Sequence, residues 1–192
     1  GENGCGKTTL LRLIARLYQP SKGKIFQNIS PYVRQKNKGS KAWFRQVGVV
    51  YQNPNYQLFM PTVQQEISFG AKSETDAKKI MDLFGISHLA ERHPHSLSEG
   101  QKRRVSIAAV VAASPSVLLL DEPTVGQDYA GLQELVRILN QYHAETNNTM
   151  ITITHDMRCA EALCDHAILI ENGMIAKEGG KELARQYFVD AY

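Results

Sequence analysis

The residues with the clearest chemical potential stand at the very start of the chain, which opens GENGCGKTTL. Gly1, Gly4 and Gly6 precede Lys7 and Thr8 in the spacing G-x-x-x-x-G-K-[ST]. Glycines allow backbone N–H groups to converge on a polyanion with no side chain in the way, and a helix starting at Lys7 adds its positive end. In such a loop Lys7 reaches the β- and γ-phosphates of a nucleotide, and the Thr8 hydroxyl suits Mg²⁺. Glu2, Asn3, Cys5 and Thr9 complete the candidate phosphate site. A glycine-rich turn that happens to precede a lysine is the plainer alternative. Thr8-Thr9 running into an apolar helix favours phosphate binding.

A second stretch, VLLLDEP, sets Asp121 and Glu122 at the end of an apolar run that reads as a buried strand. In open α/β sheets that edge is where ligands sit. Successive strand residues point to opposite sides, so the two carboxylates are expected to do different jobs. Asp121 can hold Mg²⁺ through its water shell, while Glu122 can face an attacking water. A solvated acidic pair at a strand end is the bland reading, and the upstream phosphate loop weakens it.

Two further stretches complete an ordered set: LSEGQ (97–101) and TITHD (152–156). Ser98 can cap the helix that follows, with Gln101 reaching back from the third helical position. Read in order, GENGCGKT, LSEGQ, LLLDEP and TITHD resemble the ATP-binding-cassette (ABC) ATPases. The resemblance implies a phosphate-loop NTPase fold, a mainly parallel sheet flanked by helices with a helical signature subdomain. It implies ATP and Mg²⁺ as ligands. It makes Gln52 a glutamine that touches Mg²⁺ and the water, and His155 a switch histidine at the γ-phosphate. Thr8, Gln52 and Asp121 would then surround the metal, and Glu122, His155 and Gln52 would carry catalysis. Ser98, Gly100 and Gln101 would meet the ATP of a second chain. Glu99 departs from the family's glycine, and a carboxylate there is expected to point away from the phosphate. Asp128, in TVGQD, falls in the segment that crosses the family's dimer interface.

These residues need elements to place them. Thr8–Leu17 carries Leu10, Leu13, Ile14 and Leu17 at helical spacing. PSKGKIFQ reads as a turn and short strand, and the polar stretch from Asn28 to Lys41 as a surface connection. Val47–Tyr51 reads as a short buried strand. TVQQEISFG and SETDAKKIMDLFGI carry helical patterns, the latter opening with Ser73 and Asp76 as a capping box. Ser98–Ala113 reads as another helix, followed by the strand Val117–Leu120. Asp128 caps a helix with the stripe Leu132, Leu135, Val136, Leu139 and Tyr142. TMITIT is a third strand, Asp156–Leu163 a helix, and Asn172-Gly173 a hairpin turn. A helix follows Lys181. Strands alternating with helices give an α/β class with a largely parallel sheet. The expectation is one ABC ATPase domain over 1–192, with a helical subdomain at about 54–114 inserted in it. The motif begins at residue 1, which is not Met, so a preceding strand is expected from a longer protein.

Composition narrows the partners. The chain has 192 residues, 43% hydrophobic and 21% charged, which suits one globular domain. A net charge of +3 is too mild to argue for nucleic acid. No apolar run approaches the roughly 20 residues of a membrane helix. Cys5, Cys159 and Cys164 fit no zinc spacing and read as reduced thiols of a cytosolic protein.

YQNPNYQLFMPTVQQEISFG (51–70) and LSEGQKRRVSIA resemble the energy-coupling-factor ATPases and their cobalt and nickel relatives. That resemblance implies uptake of a vitamin or a transition-metal ion. It implies a second ABC ATPase chain, like or unlike, and a peripheral location at the cytoplasmic face of the membrane. A transmembrane coupling protein and a substrate-binding membrane protein would be the other partners. Tyr56, Gln57, Leu58, Phe59 and Met60 are candidates for membrane-partner contact or for ordinary core packing. Two other readings compete. A DNA-repair or chromosome ABC ATPase would carry a long coiled coil between phosphate loop and signature. Here Lys7 and Ser98 are roughly 90 residues apart and no sustained heptads appear. A regulatory subunit without hydrolysis is disfavoured by Glu122 and His155.

Overall fold

The computed structural model describes residues 5–27, 30–31, 43 and 46–190. Gly1, Glu2, Asn3 and Gly4 of the phosphate loop lie outside the described residues, as does most of the connection after Asn28.

Helix α1 spans Lys7–Ile14. Gly6 precedes it at φ 101°, a left-handed conformation that costs glycine least. Leu11 is its buried residue, packed with Ala15 against Leu119. The periodicity places Leu10 and Leu17 on that face and runs the helix to Leu17. The structure corrects this: Leu10 is 41% and Leu17 45% exposed, and the helix stops at Ile14, with Arg16 at φ 59°. The helix's rotation turns Leu11 inward onto Leu119 and leaves Leu10 outside.

Strands β1 (Phe26–Gln27) and β2 (Ser30–Pro31) form a short antiparallel pair. The central sheet is parallel, in the order β3 (Val47–Val50), β4 (Val117–Asp121), β5 (Thr149–Ile153). Val50 pairs with Leu120 and Asp121 with Ile153, so the carboxyl ends of the three strands lie side by side. The strands read as apolar runs because both faces are covered. Leu119 joins Leu11 and Ala15 on one face; Leu118 and Leu120 join the main core on the other.

Between β3 and β4 the chain is helical. α2 (Val63–Gly70) starts with the Thr62 hydroxyl accepting from Gln65 N. α3 (Glu74–Leu83) is capped by Ser73, but the reciprocal half of a capping box is missing: the Asp76 carboxylate accepts from the Ser73 hydroxyl instead of its backbone. α4 (Glu99–Ala112) has the complete box between Ser98 and Gln101. Val63, Ile67, Phe84, Ile107 and Val111 knit this segment into the main core. Two glycines set its distance from neighbours. A Cβ on Gly48 would stand 2.5 Å from Val110 Cγ1, and one on Gly70 2.9 Å from the Ala109 carbonyl.

α5 (Tyr129–Thr146) is capped by Asp128 and buries the whole expected stripe, Leu132 to Tyr142. α6 (Met157–Leu163) follows β5. β6 (His166–Glu171) and β7 (Met174–Gly180) form an antiparallel hairpin. Asn172 at φ 49° and Gly173 at φ 76° make its turn. α7 spans Lys181–Asp190. Among the described residues, no helix is long and apolar enough to cross a membrane.

Candidate active site

The carboxyl ends of the three parallel strands and the start of α1 enclose a cavity of about 260 Å³. Its walls are Gly6 before α1, Lys7, Thr8 and Thr9 in its first turn, Gln52 after β3, Asp121 and Glu122 at the end of β4, and Ile153 and His155 at the end of β5. Residues more than a hundred positions apart meet because each stands at the end of a strand or the start of a helix, where open α/β sheets gather ligands.

Strand alternation predicts that Asp121 and Glu122 face opposite ways. The structure corrects this too, because both line the same cavity. β4 ends at Asp121, and Glu122 takes φ 50°, outside the pleat that alternation assumes. A non-glycine residue at positive φ costs of order 1 kcal/mol and persists only where its surroundings hold it. Here the Glu122 backbone N–H donates to the Ile153 carbonyl at 2.8 Å.

The two carboxylates do differ in their partners. Asp121 Oδ1 accepts a long 3.5 Å hydrogen bond from the Thr8 hydroxyl. Burial pushes its carboxyl above the usual range; the Thr8 bond opposes this, and the neighbouring Glu122 charge adds to it. Glu122 is held by one residue at both oxygens: His155 Nδ1 lies 2.9 Å from Oε1, and the His155 backbone N–H donates to Oε2 at 3.3 Å. The Glu122 side chain is buried while the imidazole stands in the open. Lys7 Nζ approaches Cys5 Sγ at 3.4 Å.

The site's oxygen donors fit Mg²⁺. The Thr8 hydroxyl, the Gln52 amide oxygen and the Asp121 carboxylate are hard ligands on one cavity. Among the described residues, no cluster of three or more His, Cys, Asp or Glu could cage a metal unaided. Such a set suits an ion that keeps its waters and takes its other ligands from phosphates.

Ser98, Gly100 and Gln101 lie away from this cavity. Ser98 and Gln101 satisfy each other at the start of α4, through bonds of 3.1 and 3.3 Å. Glu99 pairs with Lys102 on its own helix, 2.9 Å away. Gln127, beside Asp128, donates to the Gly100 carbonyl at 3.2 Å.

Of the candidate contact residues, Tyr56 and Phe59 are 80% and 65% exposed, and Phe59 meets the exposed Phe69 edge-on at 5.6 Å. Leu58 is buried in the core, and the Gln57 side chain is bonded to the backbone of Tyr51 and Val49. Three residues with no local sequence signal hold this loop. Glu66 is buried and accepts from the backbone N–H groups of Phe59 and Met60; His95 meets the Leu58 carbonyl; Arg103 meets the carbonyls of Tyr51 and Gln52. The cysteines are free thiols, and burial pushes that of Cys159 up to about 12.

A parallel α/β sheet with a phosphate loop, paired acids and a histidine at its carboxyl edge defines a nucleotide-binding cassette. Residues 1–125 match the family described as ABC transporter, and the chain belongs to that family. The energy-coupling factor transporter ATP-binding protein EcfA2 of Enterococcus faecalis is 39% identical over 194 residues, covering 95% of this chain and 66% of that protein. The chain thus spans about two thirds of the length of this relative. A solved structure of cbiO1 from Clostridium perfringens, described as part of the ABC transporter complex cbiONQ, is 33% identical with a TM-score of 0.83. It is matched over 100% of this chain and 78% of that one. A bacterial ABC transporter cassette solved as a dimer is 25% identical with a TM-score of 0.78, over 94% of this chain and 83% of that one.

Proposed function

We propose that the chain is the ATP-binding and hydrolysing part of an ABC importer of the energy-coupling-factor type, driving uptake of a vitamin or a transition-metal ion. One observation carries this reading: Lys7, Thr8, Gln52, Asp121, Glu122 and His155 line a single cavity. Lys7 and the N–H groups at the start of α1 bind the phosphates of ATP, with Gly1, Glu2, Asn3 and Gly4 completing the loop. Thr8, Gln52 and Asp121 would hold Mg²⁺, which would supply neutralisation of phosphate charge. Glu122 orients a water and takes its proton as the water oxygen attacks the γ-phosphorus and the bond to the β-phosphate oxygen breaks. His155 fixes both Glu122 oxygens and stands at the γ-phosphate side. Two chains, like or unlike, close head to tail, so that Ser98, Gly100 and Gln101 of each meet the ATP of the other. The N-terminal end of α4 suits that contact.

The segment at about 54–114 acts as a helical subdomain. Its exposed Tyr56, Phe59 and Phe69 offer an aromatic surface to a transmembrane coupling protein. A substrate-binding membrane protein completes the assembly, which places the chain at the cytoplasmic face of the membrane. The EcfA2 likeness over 95% of the chain supports this type. The test is Glu122→Gln in the complete protein. ATP binding should persist while turnover falls by about 100-fold or more. Near-normal hydrolysis would refute the role of Glu122.

A further inference from the structure

Gln52 lines the cavity from beyond the end of its strand. The last ladder pair of β3 is Val50 with Leu120, and Gln52 lies two residues beyond it. Its backbone is held from elsewhere. Arg103, 3% exposed on α4, donates from Nη1 to the Tyr51 carbonyl at 2.8 Å and from Nη2 to the Gln52 carbonyl. Two consecutive carbonyls gripped by one planar fork fix the peptide planes on either side of Gln52, and with them the direction in which its side chain leaves the backbone. The opposite edge of the Tyr51 residue is also held, since its N–H donates to Gln57 Oε1 at 2.9 Å.

A buried guanidinium is costly unless paired. Burial lowers the Arg103 pKa, and the charges of Glu99, Asp121 and Glu122 act against that. An apolar side chain would fill the same space with no such cost, so packing alone does not account for an arginine here. The helix that carries Arg103 also begins with Ser98–Gln101, one turn earlier.

We propose that Arg103 is a positioning residue for Gln52: its fork joins the helix that starts at Ser98 to the two carbonyls that aim Gln52 into the cavity, so that movement of α4 is carried to Gln52. The inference rests on Gln52 belonging to the nucleotide site.

Arg103→Met and Arg103→Lys in the complete protein test it by two independent measurements. In the first, amide hydrogen exchange is followed without nucleotide. Exchange over residues 51–58 should quicken about tenfold in Arg103→Met, and less in Arg103→Lys, while β4 and α5 stay within about twofold. Unchanged exchange over 51–58 overturns the proposal. In the second, single-turnover ATP hydrolysis is measured in the native and Gln52→Ala backgrounds. Arg103→Met should lower the rate about tenfold with little change in ATP affinity, and by less than about twofold once Gln52 is Ala. Equal losses in both backgrounds would mean a merely structural role and overturn it. Arg103→Lys, which keeps the charge, supplies both readouts should the Met variant fold poorly. A native protein that does not hydrolyse ATP would refute the proposed function, and the exchange measurement would still decide the role of Arg103.

Discussion

At the residue scale the cavity holds two acids in opposite conditions. Asp121 is buried and its carboxyl is raised, whereas Glu122 is tied at both oxygens to His155. A raised carboxyl favours folding in its protonated form. That contribution is complete below the usual carboxylate range and is lost as pH climbs through the raised value. At neutral pH the desolvated carboxylate of Asp121 therefore burdens the nucleotide-free fold. Asp121→Asn should raise the thermal midpoint of the nucleotide-free protein at pH 7, an advantage that disappears on acidification, when the native carboxyl is protonated as well. The same variant should lose about 10–100-fold in Mg²⁺-dependent turnover. Differential scanning calorimetry across pH, paired with an ATPase assay, checks both. The residues of this cavity were legible in the sequence where local spacing marks them, as at Lys7-Thr8 and Asp121-Glu122, and so was the Ser98–Gln101 capping box at the start of α4. Arg103 and Glu66 were not legible, because their partners lie on other elements and no local pattern announces them. The turn at Glu122 was hidden for another reason: alternation describes a strand, and the strand ends one residue earlier.

At the scale of elements, the helices with wide apolar stripes were readable and the short ones less so. α5 buried every residue of its stripe because an 18-residue helix has one sustained face to hide. α1 has only 8 residues and its first turn lines the cavity, so its apolar positions mislead. Leu58 sits in an irregular stretch, where burial follows from the bonds of Gln57, His95 and Glu66 to the backbone around it. Contact between β3 and α4 depends on Gly48, whose missing Cβ makes room for Val110 and Pro115. Gly48→Ala should cost about 1–3 kcal/mol through overpacking. In urea titrations the midpoint should fall with the slope unchanged. A midpoint equal to the native one would show that α4 can shift freely.

At the scale of the whole molecule, the signature residues lie away from the chain's own cavity, and the proposal that two chains complete each site rests on that separation. ATP added to the Glu122→Gln protein should double its mass in size-exclusion light scattering. Adding Ser98→Ala should weaken that association, and it should remove about 1 kcal/mol of helix capping. A monomer under saturating ATP would argue against closure of two chains. The class of fold was legible from alternating strands and helices, whereas the order of the strands came only from the structure, because pairing in a parallel sheet is set by contacts far apart in sequence. The close packing described at Gly48 and Gly70 bears on the same assembly. Val110 and Ala109 are both seated near the carboxyl end of α4, one against β3 and the other against α2. For any tilt of α4 that end is the fulcrum, and the signature end, which Gln127 and Arg103 tie to neighbouring elements, stands about 18 Å away, at 1.5 Å per residue. A tilt of about 5° at the fulcrum swings Ser98 by roughly 1.5 Å, enough to make or break a hydrogen bond to a partner's nucleotide. Two glycines thus set how far the start of α4 could reach.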